Sequence, residues 1–295
     1  MTRISMKQLF YFEALARHLH FGHAAEVCNI SQPALSIQIK ELEAQLGVSL
    51  VERSSKNIRL TPFGEDIAAR ARAILQEVEA LEASARTARR PFHGRIRIGV
   101  IPTVAPYYLP RFIAHLTRRF PDLEPQLREA MTGSLIDDLN QGRLDVAIVA
   151  LPISEPTLHE RALFEEEFVL VRPANEEGSP VPDVSQLREM RLLLLEEGHC
   201  FRDQALSFCG LAPTKARDIM EGSSLSTLVQ MVGAGIGVTL IPEMAVSIDG
   251  AASPVSISRL ASPAPKRTIG MVWRHTNPLA PQLETIATTI EQEME

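Results

Sequence analysis

The hydrophobic pattern begins with helices. Leu9, Phe12, Leu15, Ala16 and Leu19 recur at helical spacing. Gly22 opens a second, short helix over His23–Cys28. Ser31 is suited to cap a third helix, and Pro33 is tolerated in its first turn, where a missing N–H loses no partner. That helix gathers Leu35, Ile39, Leu42 and Leu46 on one face and stops at Gly47. Its other face shows Gln32, Ser36, Lys40 and Glu43. Leu50–Arg53, a polar turn over residues 54–57, and Ile58–Leu60 then read as a hairpin.

Two short helices joined by a tight turn, followed by a hairpin, form the pattern of a winged helix-turn-helix. Ser31, Gln32, Pro33, Ser36 and Lys40 are the candidate DNA-facing residues. Gln can pair with adenine through two hydrogen bonds, and Ser is a permissive groove contact. Arg53 and Lys56, with Arg59, would meet phosphates from the hairpin. Thr61-Pro62 then starts a long helix. Its apolar positions Ile67, Ala71, Ile74, Val78, Leu81 and Ala85 are spaced 4, 3, 4, 3, 4, which is a heptad seam. A dimer through this seam would present two reading heads to two half-sites of double-stranded DNA.

From residue 95 the periodicity changes. Arg95–Ile101, Leu123–Glu129, Asp145–Val149, Phe168–Val171, Arg191–Leu195, Gly237–Ile241 and Thr268–Trp273 read as strands. Helical patterns cover about 109–120, 135–141 and 279–293. Alternation of this kind predicts a mostly parallel sheet with helices on its faces. Ligands sit beyond the carboxyl ends of such strands, where Thr103 and Thr132 fall; each threonine could instead cap the helix that follows. Gly235-Ile236-Gly237 lacks a phosphate-loop context and reads as a helix-to-strand turn.

Charge sharpens this division. The chain's net charge of -6 hides a reader of net +2 over residues 1–90 and a remainder of net -8. Only the first part suits a polyanion. Just Pro33 and Pro62 of the 20 prolines lie in residues 1–90, and the stretch Ala88–Gly94 reads as the boundary. Domains at 1–60, 61–90 and 91–295 follow. No apolar run reaches the roughly 20 residues needed to span a bilayer. The N-terminus has no signal-peptide pattern, so a cytoplasmic location and no membrane partner are expected.

Three cysteines are too few for a disulfide framework. Cys28 reads as a buried small hydrophobe. Cys200 and Cys209 are nine residues apart. In a helix their Cα atoms would stand about 13 Å apart, whereas a disulfide needs about 7 Å or less. Either the two never meet and are packing residues, or meeting demands local unfolding, as a redox switch would. Cys200 follows Gly198-His199 near an expected helix start with Arg202 close by, a setting that favours thiolate. His199, Cys200 and Cys209 are a weak metal set, so neither metal nor cofactor is expected.

Several motifs resemble LysR-type transcriptional regulators: Ala24-Ala25, Ser31-Gln32-Pro33-Ala34-Leu35-Ser36, Ile39-Lys40-Glu41-Leu42-Glu43 and Leu60-Thr61-Pro62-Phe63-Gly64. The stretch Gly198-His199-Cys200-Phe201-Arg202-Asp203-Gln204 with Cys209 resembles the peroxide-sensing OxyR branch. So do Ile101-Pro102-Thr103-Val104 and Arg267-Thr268-Ile269-Gly270. Phe201 is a modest departure, since the branch often has an aliphatic residue there.

The resemblance implies a two-lobed effector domain like periplasmic binding proteins. Lobe I would take about 91–164 and 269–295, and lobe II about 165–268. It implies that Cys200 reacts with hydrogen peroxide and Cys209 resolves it. Thr103, Thr132, His199, Asp203 and Arg267 would surround the thiol. It further implies a homotetramer, contact with RNA polymerase, nucleoid association in a bacterium, and no enzymatic role. A regulator answering to a small organic effector, with packed cysteines, is the alternative. A thiol peroxidase is a third class, disfavoured because an enzyme has no use for a DNA-reading head.

Overall fold

A computed structural model of the protein describes residues 4–53, 58–89, 91–210, 220–251 and 253–294. The chain separates into two units, Met1–Ala85 and Arg86–Glu295, each described by itself.

In the first unit α1 (Met6–His18) is opened by a capping box between Ser5 and Gln8. Helix α2 covers Phe21–Val27, starting two residues before the predicted position. Gly22 lies within it, and the His20 ring caps it by accepting from His23 N–H at 3.2 Å. Helix α3 covers Gln32–Leu46, capped by Ser31 and ended by Gly47 at φ 73°, a left-handed stop that glycine adopts without strain. Phe12, Leu15, Leu35, Ile39, Leu42 and Leu50 make the core. Strands β1 (Val51–Arg53) and β2 (Ile58–Leu60) pair antiparallel as the wing, with Val51 opposite Leu60. Lys56 lies outside the described residues.

Helix α4 covers Pro62–Arg89. Thr61 Oγ1 accepts from Gly64 N–H at 2.9 Å. The seam divides in two. Ala71 is already buried in the single chain and Ile67 packs on the head's core. Ile74, Val78 and Leu81 stand exposed, Leu81 by 71%. Near its start α4 is tied to α1. The buried carboxylate of Glu13 accepts from Arg17 at 2.7 Å and from Arg72 at 3.4 Å.

Among the described residues the second unit holds one nine-stranded sheet. Strands β3 (Gly94–Val100), β4 (Leu123–Glu129) and β5 (Val146–Leu151) are mutually parallel, with β3 between the other two. Helices α5 (Ala105–Arg119) and α6 (Thr132–Asn140) connect them. The long strand β6 (Leu158–Pro173) follows. Next come α7 (Val184–Glu189), β7 (Leu192–Leu195), α8 (Cys200–Cys209) and β8 (Met220–Gly222). Helix α9 (Leu225–Gly233) leads to β9 (Val238–Pro242), with Gly235-Ile236-Gly237 as the turn between them. The chain ends with β10 (Val255–Arg259), β11 (Lys266–Arg274) and α10 (Ala280–Met294).

The expectation of a mostly parallel sheet needs correction. Parallel pairing is confined to the two ends. In the middle β11 runs antiparallel to both β5 and β6, and β6 antiparallel to β9 and β10. The reason is topological: β6 and β11 each cross from one lobe to the other in opposite directions. The result is two cores. One contains Ile98, Val100, Leu135, Ile148, Ile269 and Leu283. The other contains Phe168, Leu170, Leu194, Leu206, Val229 and Ile241.

Candidate functional site

The chain leaves β7 through Gly198, whose φ of 99° is a conformation open to glycine and strained for other residues. That turn sets His199 at the N-cap of α8 and Cys200 at its first helical position. Helix α8 is shared between the lobes. Phe201, Ala205, Leu206 and Cys209 belong to the lobe II core, while Cys200 packs against the lobe I core. All three cysteines are free thiols. An unbroken helix from Cys200 to Cys209 keeps the pair about 13 Å apart. Burial pushes the Cys209 thiol up to about 11, against the lowering pull of Arg188.

Arg267 ties Thr103, Glu166 and α8 together. Its guanidinium is wholly buried. It donates to Thr103 Oγ1 at 2.8 Å, to the Thr103 carbonyl at 3.0 Å and to Glu166 at 2.7 Å. It also lies 5.3 Å from the centre of the Phe201 ring, within cation–π range. Because Thr103 Oγ1 accepts from a cation, its own O–H is left to donate elsewhere. His199 is buried and its Nε2 has no hydrogen-bond partner among the described residues; Thr132 Oγ1 is buried and unpartnered likewise. Burial lowers the pKa of His199 below the ordinary imidazole value, opposed by Glu196. A buried polar atom without a partner is costly, so the orphaned Nε2 and Oγ1 each have capacity for a small polar partner.

Direct contacts are seen among some of the predicted residues. Thr103, Arg267 and α8 are brought together by direct contact. Asp203 is exposed on the first turn of α8, on the face that carries Cys200 by its three-residue spacing. Arg202 does not serve the thiol. Two positions on from Cys200 it turns to the other side of the helix, donating to the Leu195 carbonyl at 2.7 Å and pairing with Glu221 at 2.8 Å. In the first unit Gln32, Pro33 and Lys40 are exposed on α3, Ser36 is half-buried, and Ser31 is the cap. Arg53 ends β1.

Sequence reasoning missed two groups. Glu166 is one, its pKa raised by burial despite the opposing pull of Arg267. Strand alternation at Glu165-Glu166-Glu167 was the available signal, since it turns the middle carboxylate inward. The other is a bridge between lobes. Tyr107, on α5, packs on the lobe II core and donates to Asp249 at 2.5 Å, while Ser226 of α9 donates to the second Asp249 oxygen at 2.5 Å. Burial, and then the bond to Asp249, push the Tyr107 phenol up. Among the described residues no cluster could hold a metal ion, and no helix is long and apolar enough to cross a membrane.

Comparison with known proteins matches both units. Residues 6–65 fit the bacterial regulatory helix-turn-helix protein model of the lysR family, and residues 89–295 fit the LysR substrate binding domain. A Streptomyces viridosporus protein named a probable hydrogen peroxide-inducible genes activator is 44% identical over 299 residues, covering 98% of this chain and 94% of that one. A full-length OxyR variant from Pseudomonas aeruginosa has a similar structure, with TM-score 0.78, 36% identity and coverage of 98% and 95%. A Corynebacterium glutamicum OxyR mutant with hydrogen peroxide bound gives TM-score 0.67, 34% identity and coverage of 99% and 93%. Helix-turn-helix head, two-lobed sensor and thiol-bearing α8 therefore have one explanation: the chain belongs to the LysR-type regulators, within their OxyR group.

Proposed function

We propose that this protein is a DNA-binding transcription regulator that senses hydrogen peroxide through Cys200 and answers by forming a Cys200–Cys209 disulfide. The observation that carries the reading is the placement of the two thiols. They sit at opposite ends of one helix, one against each lobe's core, so joining them must dismantle α8. A relative of similar structure, described as hydrogen peroxide-bound, supports the choice of oxidant.

The chemistry needs few groups. The Cys200 thiolate attacks one peroxide oxygen and the O–O bond breaks. The departing hydroxide takes a proton and leaves as water, and Cys200 becomes a sulfenic acid. The Thr103 hydroxyl, already accepting from Arg267, donates to a peroxide oxygen. Thr132 and His199 supply further polar contacts. Cys209 sulfur then attacks the sulfenic sulfur, the disulfide forms and a second water is lost. Asp203, on the exposed side of α8, belongs to the rim of this site.

The heads act through α3 and the wing, with Ser31, Gln32, Pro33, Ser36 and Lys40 toward base edges and Arg53 and Lys56 toward phosphates. Ile74, Val78 and Leu81 join two copies, while Ile67 and Ala71 pack within the single chain. A tetramer, RNA polymerase contact and action in the bacterial cytoplasm at the nucleoid complete the proposal. The test is a gel shift on palindromic duplexes with reduced and peroxide-treated protein. A change in mobility or footprint that reductant reverses supports the reading; identical shifts in both states remove it.

A second reading rests on a cavity of about 620 Å³ beside the crossing strands, walled by Tyr107, Tyr108, Phe164, Glu166, Met244 and Lys266. Its size suits a small organic effector. Effector-dependent DNA binding indifferent to reductant would favour it.

A further inference from the structure

On α3 the core residues Leu35, Ile39, Leu42 and Leu46 define one side of the helix. At 100° per residue, Ile37 points about 190° away from their mean direction. It is 55% exposed and packs on no core of the unit. Pro33, one turn earlier, is exposed on the same stripe. Lys40 stands exposed beside them and Ser36 half-buried, while Glu41 is engaged by Gln38 Nε2 at 2.8 Å. A β-branched residue at an open helical position is a poorer helix former than alanine. Ile37 therefore gains nothing in the unbound protein. Exposed apolar residues are common on any surface; the place of this one sets it apart, in the second turn of the recognition helix of a helix-turn-helix.

We propose that Ile37, with Pro33 beside it, reads a thymine by apolar contact with its 5-methyl group in the major groove. The major groove presents that methyl only on pairs containing thymine, and at different positions for T·A and A·T. Lys40, one turn along, and Ser36 face the neighbouring base edges. This assignment deepens the DNA-binding reading and rests on it. It makes Ile37 a determinant of which half-site is chosen, while the basic residues determine how tightly any duplex is held.

The experiment uses the full-length chain. Duplexes are first selected from a random pool, and each thymine of the best binder is then replaced singly by deoxyuridine, which deletes only the methyl. Wild type loses about fourfold in affinity at one thymine per half-site, the worth of one buried methyl group. Ile37→Ala binds the parent duplex about fourfold more weakly and is indifferent to the same replacement, and Ile37→Val keeps most of the discrimination. Thermal melting verifies that both variants fold. If no thymine shows a loss, or if the loss survives in Ile37→Ala, the proposal is overturned while DNA binding stands. If no duplex is enriched, DNA binding itself fails and the proposal falls with it.

Discussion

Melting of α8 can be weighed at one exposed residue. Ser207 lies on α8 between the two thiols with its side chain in solvent. In the reduced protein it is helical. A disulfide brings the Cα atoms of Cys200 and Cys209 from about 13 Å to within about 7 Å, and no α-helix of that span permits this. Ser207 therefore leaves the helix when the bond forms. Alanine and glycine differ by about 1 kcal/mol in helix preference, with serine between them. Ser207→Ala stabilises the reduced form and Ser207→Gly weakens it, and a glycine also eases closure of the small loop. The disulfide of Ser207→Gly should be favoured about fivefold over that of Ser207→Ala. For a two-electron couple this places the Ser207→Ala midpoint about 20 mV less negative. Redox titration in glutathione buffers, with thiol trapping and mass analysis, reads both midpoints. Coincident or reversed midpoints would show that the helix survives around Ser207 and would refute the reasoning.

Three further outcomes follow from the same geometry. Arg267→Ala leaves Glu166 buried without its cation, a loss of about 3–5 kcal/mol. Burial then holds the folded Glu166 pKa above its unfolded value, so the folded state binds the extra proton and the penalty shrinks as pH falls. Urea unfolding at pH 5 and pH 8 should show that relief for Arg267→Ala but not for Glu166→Gln, whose stranded Arg267 cannot neutralise. The Cys209 thiol, raised from 9.0 to about 11, keeps its proton in the folded state. Its stabilising contribution is whole below pH 9 and lost as pH climbs from 9 toward 11. Alkylation should spare Cys209 at pH 8 and reach it progressively above pH 9; labelling at pH 8 as fast as in the denatured chain would contradict this. Leu81→Lys should shift sedimentation toward monomer without lowering the head's melting temperature, because Leu81 is open to solvent. Ala71→Lys should unfold the head, because Ala71 is buried.

Features written in local chemistry were legible in the sequence. Ser31, Pro33 and Gly47 bounded α3 because caps and breakers act within a few residues. Thr61-Pro62 marked the start of α4 for the same reason. The seam was legible as a spacing, but spacing does not tell which apolar residues the chain covers itself, so Ala71 and Ile74 looked alike. Alternating strands and helices describe each lobe, but nothing local in Leu158–Pro173 announces a strand that crosses between lobes. Gly198, His199 and Cys200 form a contiguous motif and could be read directly. The family resemblance puts Arg267 and Thr103 around one thiol, but no local signal announces the bond between them across 164 residues. Asp249 came by neither route, since an acid in a turn carries no sign of the tyrosine 142 residues distant that it holds. Arg202 is near Cys200 in sequence but not on its face of α8, because a helix turns residue i+2 away.

The central claim is that one helix stores the reduced state and one bond replaces it. Its most direct measurement is peptide mass spectrometry of the native protein after one equivalent of hydrogen peroxide. The predicted result is a Cys200–Cys209 bridge with Cys28 left as a free thiol. The absence of that bridge, together with full peroxide response in Cys200→Ser, would contradict the account.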